Sequence, residues 1–336
     1  MAAPVVGLVR SCEVRLSYAV GGQWPIEAGS TVRQHEGMSH FLTARRLPLL
    51  PVPVPVPVPV PAPAPSPDPE VTLGSEIDAV RAPVAQVGAV RLLTVNIHKG
   101  YTSFNRRFML RELRDAVRLQ DSDLVFLQEV NGSAHAAAAP LAGRHLTAAG
   151  SHYEYLADKI WQAHAYGRNA VVERGDHGNA VLSRFPILSW ANHDVSLPGD
   201  EQRGVLHCVV QPPTWPLPLH LCCVHLGLRE SHRRRQLARL SELLRDEVPD
   251  HAPLVVAGDF NDWRLRADGL LQGSGLVEVF RHSFGQHARS FPARWPVLRL
   301  DRIYVRGLSA AHPVPLPRQP WAGLSDHAPL AAEVRL

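Results

Sequence analysis

The stretch "VVAGDFNDW" (residues 255–263) runs an apolar segment into Gly258 and then delivers Asp259, Asn261 and Asp262. A carboxylate at the end of a buried strand costs free energy unless it is paired or engaged. The same arrangement recurs along the chain. "LLTV" ends in Asn96, "LVFLQ" in Glu129 and "LCCV" in His225, while Asp301 opens "DRIYV" and "LSDHAPL" supplies Asp326 and His327. Strands lying side by side bring such ends together at one edge of a core. Carboxylates gathered there raise one another's pKa, and a bound divalent cation removes that objection. Oxygen ligands without thiolates select a hard ion, Mg²⁺ or Mn²⁺. Histidines beside such a centre point to hydrolysis of a phosphate ester.

The segments between these ends mix helix and strand patterns. "VRLLTV" (90–95) and "DLVFLQEV" are apolar runs of strand length. Between them Met109, Leu113, Ala116 and Val117 repeat as on an amphipathic helix. "HGNAVLSRFPIL" reads as strand, turn, strand, and "GVLHCVVQ" and "LHLCCVHL" as a strand pair around "PPTWPLP". "SHRRRQLARLSELLRDEV" carries Leu237, Leu240 and Leu244 at helical spacing, with Ser231 placed to cap its start and the arginine cluster read as a solvated face. "PLVVAGDF", "RLDRIYV" and "LAAEVRL" complete the strands. Many short strands with few helices predict an α/β chain of two packed sheets covered by helices on the outside.

Residues 1–88 stand apart. Proline occupies every second position from Pro51 to Pro69, and a residue without a ladder donor cannot build a central strand or a helix interior. This extension is predicted to be a disordered, solvated polyproline spacer, leaving 89–336 as the folded domain. The first residues lack a basic start followed by a long apolar core, so no secretory signal is expected, and no apolar run has the length of a membrane span. The chain has 35 Lys and Arg against 31 Asp and Glu, net +4. Only Lys99 and Lys159 are lysines, and a basic, arginine-rich balance suits a polyanionic partner without demanding one. The four cysteines, Cys12, Cys208, Cys222 and Cys223, show no metal-type spacing. They read as buried thiols in a reducing compartment, so a cytoplasmic setting is expected; the sequence gives no reason to expect obligate assembly, so a monomer is expected.

Taken in order, "TVNIHKG", "LQEV", "GNAVLSRFPI", "VHLGL", "GDFND", "LDRIYV" and "LSDHAPL" resemble the motif series of the endonuclease/exonuclease/phosphatase family. The resemblance covers about residues 90–336, and the wording "NIHKG…FNRRF…LRDAVR" is similar to a bacterial branch, the YbhP-like proteins. It implies a four-layer α/β/β/α sandwich, like that of DNase I, with the active site at one end of two packed mixed sheets. It implies Glu129 as principal metal ligand, with Asn96 beside it and Asp326 at the metal or water. Asp259 would orient or deprotonate the attacking water, Asn261 would hold the phosphate, and His327 would contact a phosphate oxygen with its tautomer fixed by Asp301. His225 matches the histidine that secreted deoxyribonucleases and sphingomyelinases use on the phosphorane or the leaving group. Asn179 and Arg203 match family positions that contact substrate phosphate or serve the architecture. His98 stands where abasic-site enzymes carry an acid, which argues against a dedicated enzyme of that kind. His98, Lys99 and Arg106 are either phosphate contacts or solvated loop charge; His145, His152, His164 and His177 lack ligand spacing and receive no role.

The expected activity is Mg²⁺-dependent hydrolysis of phosphodiester bonds in nucleic acid. One alternative is a phospholipid or inositol-phosphate phosphoesterase, for which "FPARWPVLRL" (291–300) would be an aromatic, basic substrate loop. The other is a non-catalytic binding protein on the same fold.

Overall fold

In β1 (Val90–Asn96), β7 (Leu219–His225) and β8 (Leu254–Asp259) almost every residue is buried, with no alternation of polar and apolar positions. Such strands must be covered on both faces, as parallel strands inside a sheet are. The computed structural model, which describes residues 88–103, 106–134, 151–172 and 175–336, places them so. The expectations for residues 1–87, including the proline repeat and Cys12, and for His145 lie outside the described residues.

Two βαβ units organise the molecule. β1, α1 (Leu110–Leu119) and β2 (Leu124–Ala134) form the first, its strands parallel with Asn96 opposite Gln128. β7, α3 (Glu230–Glu247) and β8 form the second, again parallel, with His225 opposite Asp259. A parallel pair needs a crossover connection, and the helices supply it. The remaining strands are β3 (Ala163–Val172), β4 (Gly175–Ser183), β5 (Ile187–Asp194), β6 (Gly204–Val210), β9 (Val277–Glu278), β10 (Asp301–Arg306), β11 (Ala310–Val314) and β12 (Leu330–Arg335). They extend the two units into six-stranded sheets ordered β11-β12-β1-β2-β4-β3 and β5-β6-β7-β8-β10-β9. The short helices are α2 (His152–Ala157), α4 (Ala267–Leu271) and α5 (Val279–Phe284).

Three apolar clusters define four layers. Phe126, Val181, Leu206, Leu221, Cys223 and Ile303 pack between the sheets. Leu93, Val125 and Leu127 meet Leu110, Leu113 and Val117 of α1 on one outer face. Cys222, Val224 and Val256 meet Leu237, Leu240 and Leu244 of α3 on the other. The result is an α/β/β/α sandwich of two packed mixed sheets flanked by helices.

Two details depart from the sequence-based expectation. α3 begins at Glu230 and its cap position, Arg229, makes no capping bond to the first turn; Ser231 lies exposed in that turn. The helix start is tied down from inside instead: Gly227 N–H donates to Gln236 Oε1 at 2.8 Å, and Arg233 donates to the carbonyls of Gly227 (3.2 Å) and Leu228. Arg233 is therefore buried, pairing with Glu230 at 2.8 Å and lying over the Trp263 ring at 4.2 Å, while its neighbours Arg234 and Arg235 are exposed. The arginine cluster is a solvated face at two of its three positions only. At the start of the described residues, Gly88 is bonded through Thr214 Oγ1 (3.0 Å) and Trp215 Nε1 (2.9 Å), so the fold includes it.

Candidate active site

Strand register assembles the site. β10 runs antiparallel to β8 and starts where β8 stops, so Asp301 lies directly opposite Asp259. His225 flanks Asp259 on the other side. From the first sheet come Asn96 at the end of β1 and Glu129 in β2, where the register to β4 shifts between Leu127 and Val130. Such a bulge re-aims a side chain, and Glu129 takes a left-handed φ of 54° there. Asn261 has φ 50°, His98 45° and Lys99 53°. Non-glycine residues in this region are uncommon and gather where surrounding structure holds them for a purpose. The loop before β12 closes the mouth: Ser325 Oγ donates to Asn96 O at 2.7 Å. Gly258 answers to a different constraint. Its φ is 143°, and a Cβ there would fall 2.0 Å from Val224 O, so the close β7–β8 approach that aligns His225 with Asp259 requires glycine.

Asp259 is the hub. Its Oδ1 accepts from the Asn261 backbone N–H at 2.9 Å. Its Oδ2 accepts from Asn96 Nδ2 at 3.2 Å and lies 3.6 Å from His225 Nε2 and 3.7 Å from His327 Nε2. Burial pushes the Asp259 carboxyl up to about 6 against the pull of His327, with Asp301 adding to the rise. Burial also opposes charge on His327, but Asp301 and Asp259 outweigh it and lift the imidazolium to about 10. His327 Nδ1 is 2.8 Å from Asp301 Oδ2. Burial first, then the cationic Arg203 and His327, hold His225 well below the usual histidine range, so it is neutral. The arrangement pairs a carboxylate poised near neutrality with a protonated imidazole fixed by a second carboxylate. It can take a proton from one atom while donating a hydrogen bond to another.

The structure brings Asn96, Glu129, His225, Asp259, Asn261, Asp301, Asp326 and His327 to this mouth with several orientations of note. Asn96 turns its amide nitrogen to Glu129 Oε1 (3.2 Å) and to Asp259, while its oxygen accepts from the His98 N–H at 3.0 Å. Asn261 donates its side-chain amide to Leu226 O at 2.9 Å. Asp326 Oδ2 lies 2.6 Å from His98 Nδ1; burial raises its pKa, but His98 and His327 bring it below the usual range. Asn179 bridges the sheets, donating to Gly204 O (2.9 Å) and Cys223 O (3.2 Å). Arg203 is buried and pairs with Glu201 at 2.8 Å. Asp262 serves the fold, accepting from Ala267 N–H at 2.8 Å as α4 begins.

His177 and Glu201 carried no sequence signal. His177 is buried and lies 2.9 Å from Glu201, whose other oxygen holds Arg203. The His177 hydrogen bond leads the lowering of the Glu201 pKa to about 2. Phe291 packs against His327 with ring centroids 5.0 Å apart.

The donor set fits a hard cation. Glu129 and Asp259 converge on one amide nitrogen, a position that a cation would also satisfy. Asp259, Asp301 and His327 also place one ligand atom each within 4.8 Å of the others. Both ring nitrogens of His327 face carboxylates, however, and a protonated imidazole has no lone pair to offer a metal. That trio suits proton transfer better than metal ligation, which leaves Glu129 and Asp326 as the carboxylates of the sequence-predicted metal set.

Comparisons agree with this geometry. Residues 93–327 match the model of the Endonuclease/Exonuclease/phosphatase family. The chain is 55% identical over 247 residues to "Uncharacterized protein YbhP" of Escherichia coli K12, covering 73% of this chain and 96% of that one. The fold is similar to an endonuclease/exonuclease/phosphatase from Beutenbergia cavernae, TM-score 0.56 at 20% identity, covering 74% of this chain and 72% of that one. It is also similar to D. rerio TDP2 complexed with a single strand DNA product, TM-score 0.52 at 19% identity, covering 74% and 99%. The strand-end residues, their convergence at one mouth and the match over most of the folded region place the chain in the endonuclease/exonuclease/phosphatase family.

Proposed function

We propose that the chain is a divalent-cation-dependent phosphodiesterase acting on nucleic acid, with Mg²⁺ held by Glu129 and Asp326 beside Asp259. The observation that carries this reading is the environment of Asp259: a buried carboxylate at about 6, facing the protonated His327 at 3.7 Å and the neutral His225 at 3.6 Å. Asp259 would accept the proton of the attacking water. His327, its Nδ1–H given to Asp301, would present Nε2–H to a phosphoryl oxygen, and neutral His225 would steady the phosphorane or the leaving oxygen. Buried Arg203 would hold a further phosphate oxygen. When bound, the cation would supply Lewis-acid polarisation of the phosphate.

Nucleic acid is favoured by the surface around the mouth. The Ala293 N–H donates to Asp326 O at 2.7 Å, which sets the 291–300 loop at the rim. There Arg294 lies over the exposed Trp295 ring at 4.8 Å, and Trp263, two residues beyond Asn261, is also exposed. Exposed aromatics beside arginines stack bases of single strands, and TDP2, which shares the fold, has been crystallised with such a product. A second reading, a phospholipid headgroup, is supported by the apolar exposure of Trp295, Val297 and Leu298 on the same loop. Among the described residues no helix is long and apolar enough to cross a membrane. The buried, unbridged Cys208, Cys222 and Cys223 support a reducing, cytoplasmic setting.

The test is a screen with Mg²⁺ over bis-nitrophenyl phosphate, single- and double-stranded oligonucleotides, phospholipid vesicles and inositol phosphates. Oligonucleotide cleavage that is lost in EDTA and in Glu129→Ala is the expected result. Turnover of vesicles alone would select the second reading, and turnover of none of these would overturn both.

A further inference from the structure

The outer face of the second sheet holds a cluster of imidazoles that the phosphoester mouth does not use. His193 of β5 pairs with Val205 of β6, and His207 stands two residues further along β6, so both project from the same face. α3 packs over that face and ends at Glu247. His193 Nε2 lies 3.2 Å from Glu247 Oε2, and His207 Nδ1 lies 3.6 Å from the same oxygen. One donor atom from each of the three residues falls within 4.8 Å of the other two.

We propose that His193, His207 and Glu247 form a second cation site, an open set of two imidazoles and one carboxylate for an ion of the Zn²⁺ class.

Three observations carry it. First, the spacing suits the ion: bonds of about 2.1 Å in a tetrahedron place ligand atoms about 3.4 Å apart. Second, Glu247 leaves one of the two rings unsatisfied. His193 Nε2 is shielded from solvent yet makes no hydrogen bond among the described residues. Third, His207 is mounted as a metal-bound imidazole is. It is buried, and its far nitrogen, Nε2, lies 3.0 Å from Nδ1 of His220. A ring that donates Nε2–H to that acceptor carries its lone pair on Nδ1, towards Glu247, and such a partner fixes the tautomer of a ligating histidine. The fold adds a fourth argument. Glu247 is the last residue of an 18-residue helix, where the helix dipole opposes a carboxylate and favours a cation beside it.

The cluster is separate from the mouth in place and chemistry. His220 sits five residues before His225 on β7, about 16 Å along the strand. Imidazole-rich sets select Zn²⁺, Ni²⁺ or Cu²⁺, whereas the oxygen set of the mouth selects Mg²⁺. Glu247 and His193 are partly exposed, at 44% and 25% of the side chain, which leaves an entry path and a solvent position. The ion would pin the edge strand β5 to the end of α3. The proposal stands whether or not the phosphodiesterase reading does.

The experiment uses the full chain carrying Glu129→Ala, to weaken cation binding at the mouth, stripped of metal and titrated with Zn²⁺. Mass spectrometry of the metal content is expected to find one tightly held Zn²⁺ per chain, and calorimetry a melting temperature raised by zinc. Adding Glu247→Gln or His193→Asn, both at partly exposed positions, should abolish the stoichiometric zinc and the zinc-dependent rise without changing the metal-free melting temperature. His220→Ala should weaken binding about 10- to 100-fold. X-ray absorption on the Glu129→Ala chain should show two imidazoles on the ion and reads the site without further substitution. Zinc content unchanged by these variants, no zinc taken up, or a spectrum without imidazole would overturn the proposal.

Discussion

Asp301 touches His327, and through it whatever His327 touches. Its Oδ2 is 2.8 Å from Nδ1, and with Asp259 it outweighs burial in keeping the imidazole charged. Asp301→Asn keeps an oxygen able to accept that bond but removes the charge. The expected outcome is a fall in kcat of about 10²- to 10⁴-fold, the usual range for a displaced proton-transfer group, with a smaller change in KM. Steady-state kinetics on bis-nitrophenyl phosphate checks it, and an unchanged kcat would remove Asp301 from the relay. This residue was legible in the sequence, because an aspartate opening the strand "DRIYV" stands out against its apolar neighbours. His177 and Glu201 were not legible. One lies in a glycine-rich strand and the other in a loop, and only tertiary packing sets them 2.9 Å apart.

At the scale of elements, the two βαβ units convert strand order into site geometry, and Gly258 is where that conversion is most exposed to substitution. Gly258→Ala would set a methyl group 2.0 Å from Val224 O at a φ of 143°. The pair β7–β8 would have to separate, with a loss of about 3 kcal/mol in stability, as strain at a special backbone position produces. Urea unfolding measures the loss, and a variant as stable as the parent would show that the strands can yield. Strand ends could be read from the sequence because each is an apolar run closed by a polar residue. The partition of strands between sheets could not: β4 and β5 are separated by three residues, Arg184 to Pro186, yet belong to different sheets. A second prediction concerns the elements around β10. His287 lies 3.0 Å from both Asp268 of α4 and Glu278 of β9, and Tyr304 donates to Asp268 at 2.6 Å. Burial lowers the pKa of His287, but bonds to Asp268 and Glu278 outweigh it and the net shift is upward. Burial raises Asp268, and His287, Tyr304 and Arg281 pull it below the usual range. The contribution of His287 is thus full below its unfolded pKa of about 6.5 and fades as pH rises through the higher folded value. The contribution of Asp268 is full above about 3.9 and fades as pH falls through its lower folded value. The melting temperature of His287→Gln should therefore fall furthest below the parent between about pH 4 and 6.5, and the gap should narrow in alkali. A gap that widens with pH would contradict this assignment.

For the molecule as a whole, the sandwich works by packing two sheets face to face so that strand ends of both meet at one mouth, and neither sheet alone supplies the whole set. Asn96 and Glu129 come from one, His225, Asp259 and Asp301 from the other. Local periodicity carries no record of that pairing, since strands buried on both faces show no alternation to say which face meets the other sheet. The motif order supplied it through resemblance. The same scale frames the extension before the fold. The relative YbhP is matched over 96% of its length by 247 residues of this chain, which leaves no room in it for an extension of 85 residues. Gly88 is already anchored through Thr214 and Trp215. A chain beginning at Gln86 retains both bonds and every residue of the mouth. Its melting temperature should stay within about 2 °C of the full chain, the span of a surface change of half a kcal/mol. Its kcat/KM on bis-nitrophenyl phosphate should stay within about twofold, a difference of about 0.4 kcal/mol in barrier. A larger loss in melting temperature would mean that residues 1–85 pack against the sandwich, and a loss confined to turnover would mean that they reach the substrate.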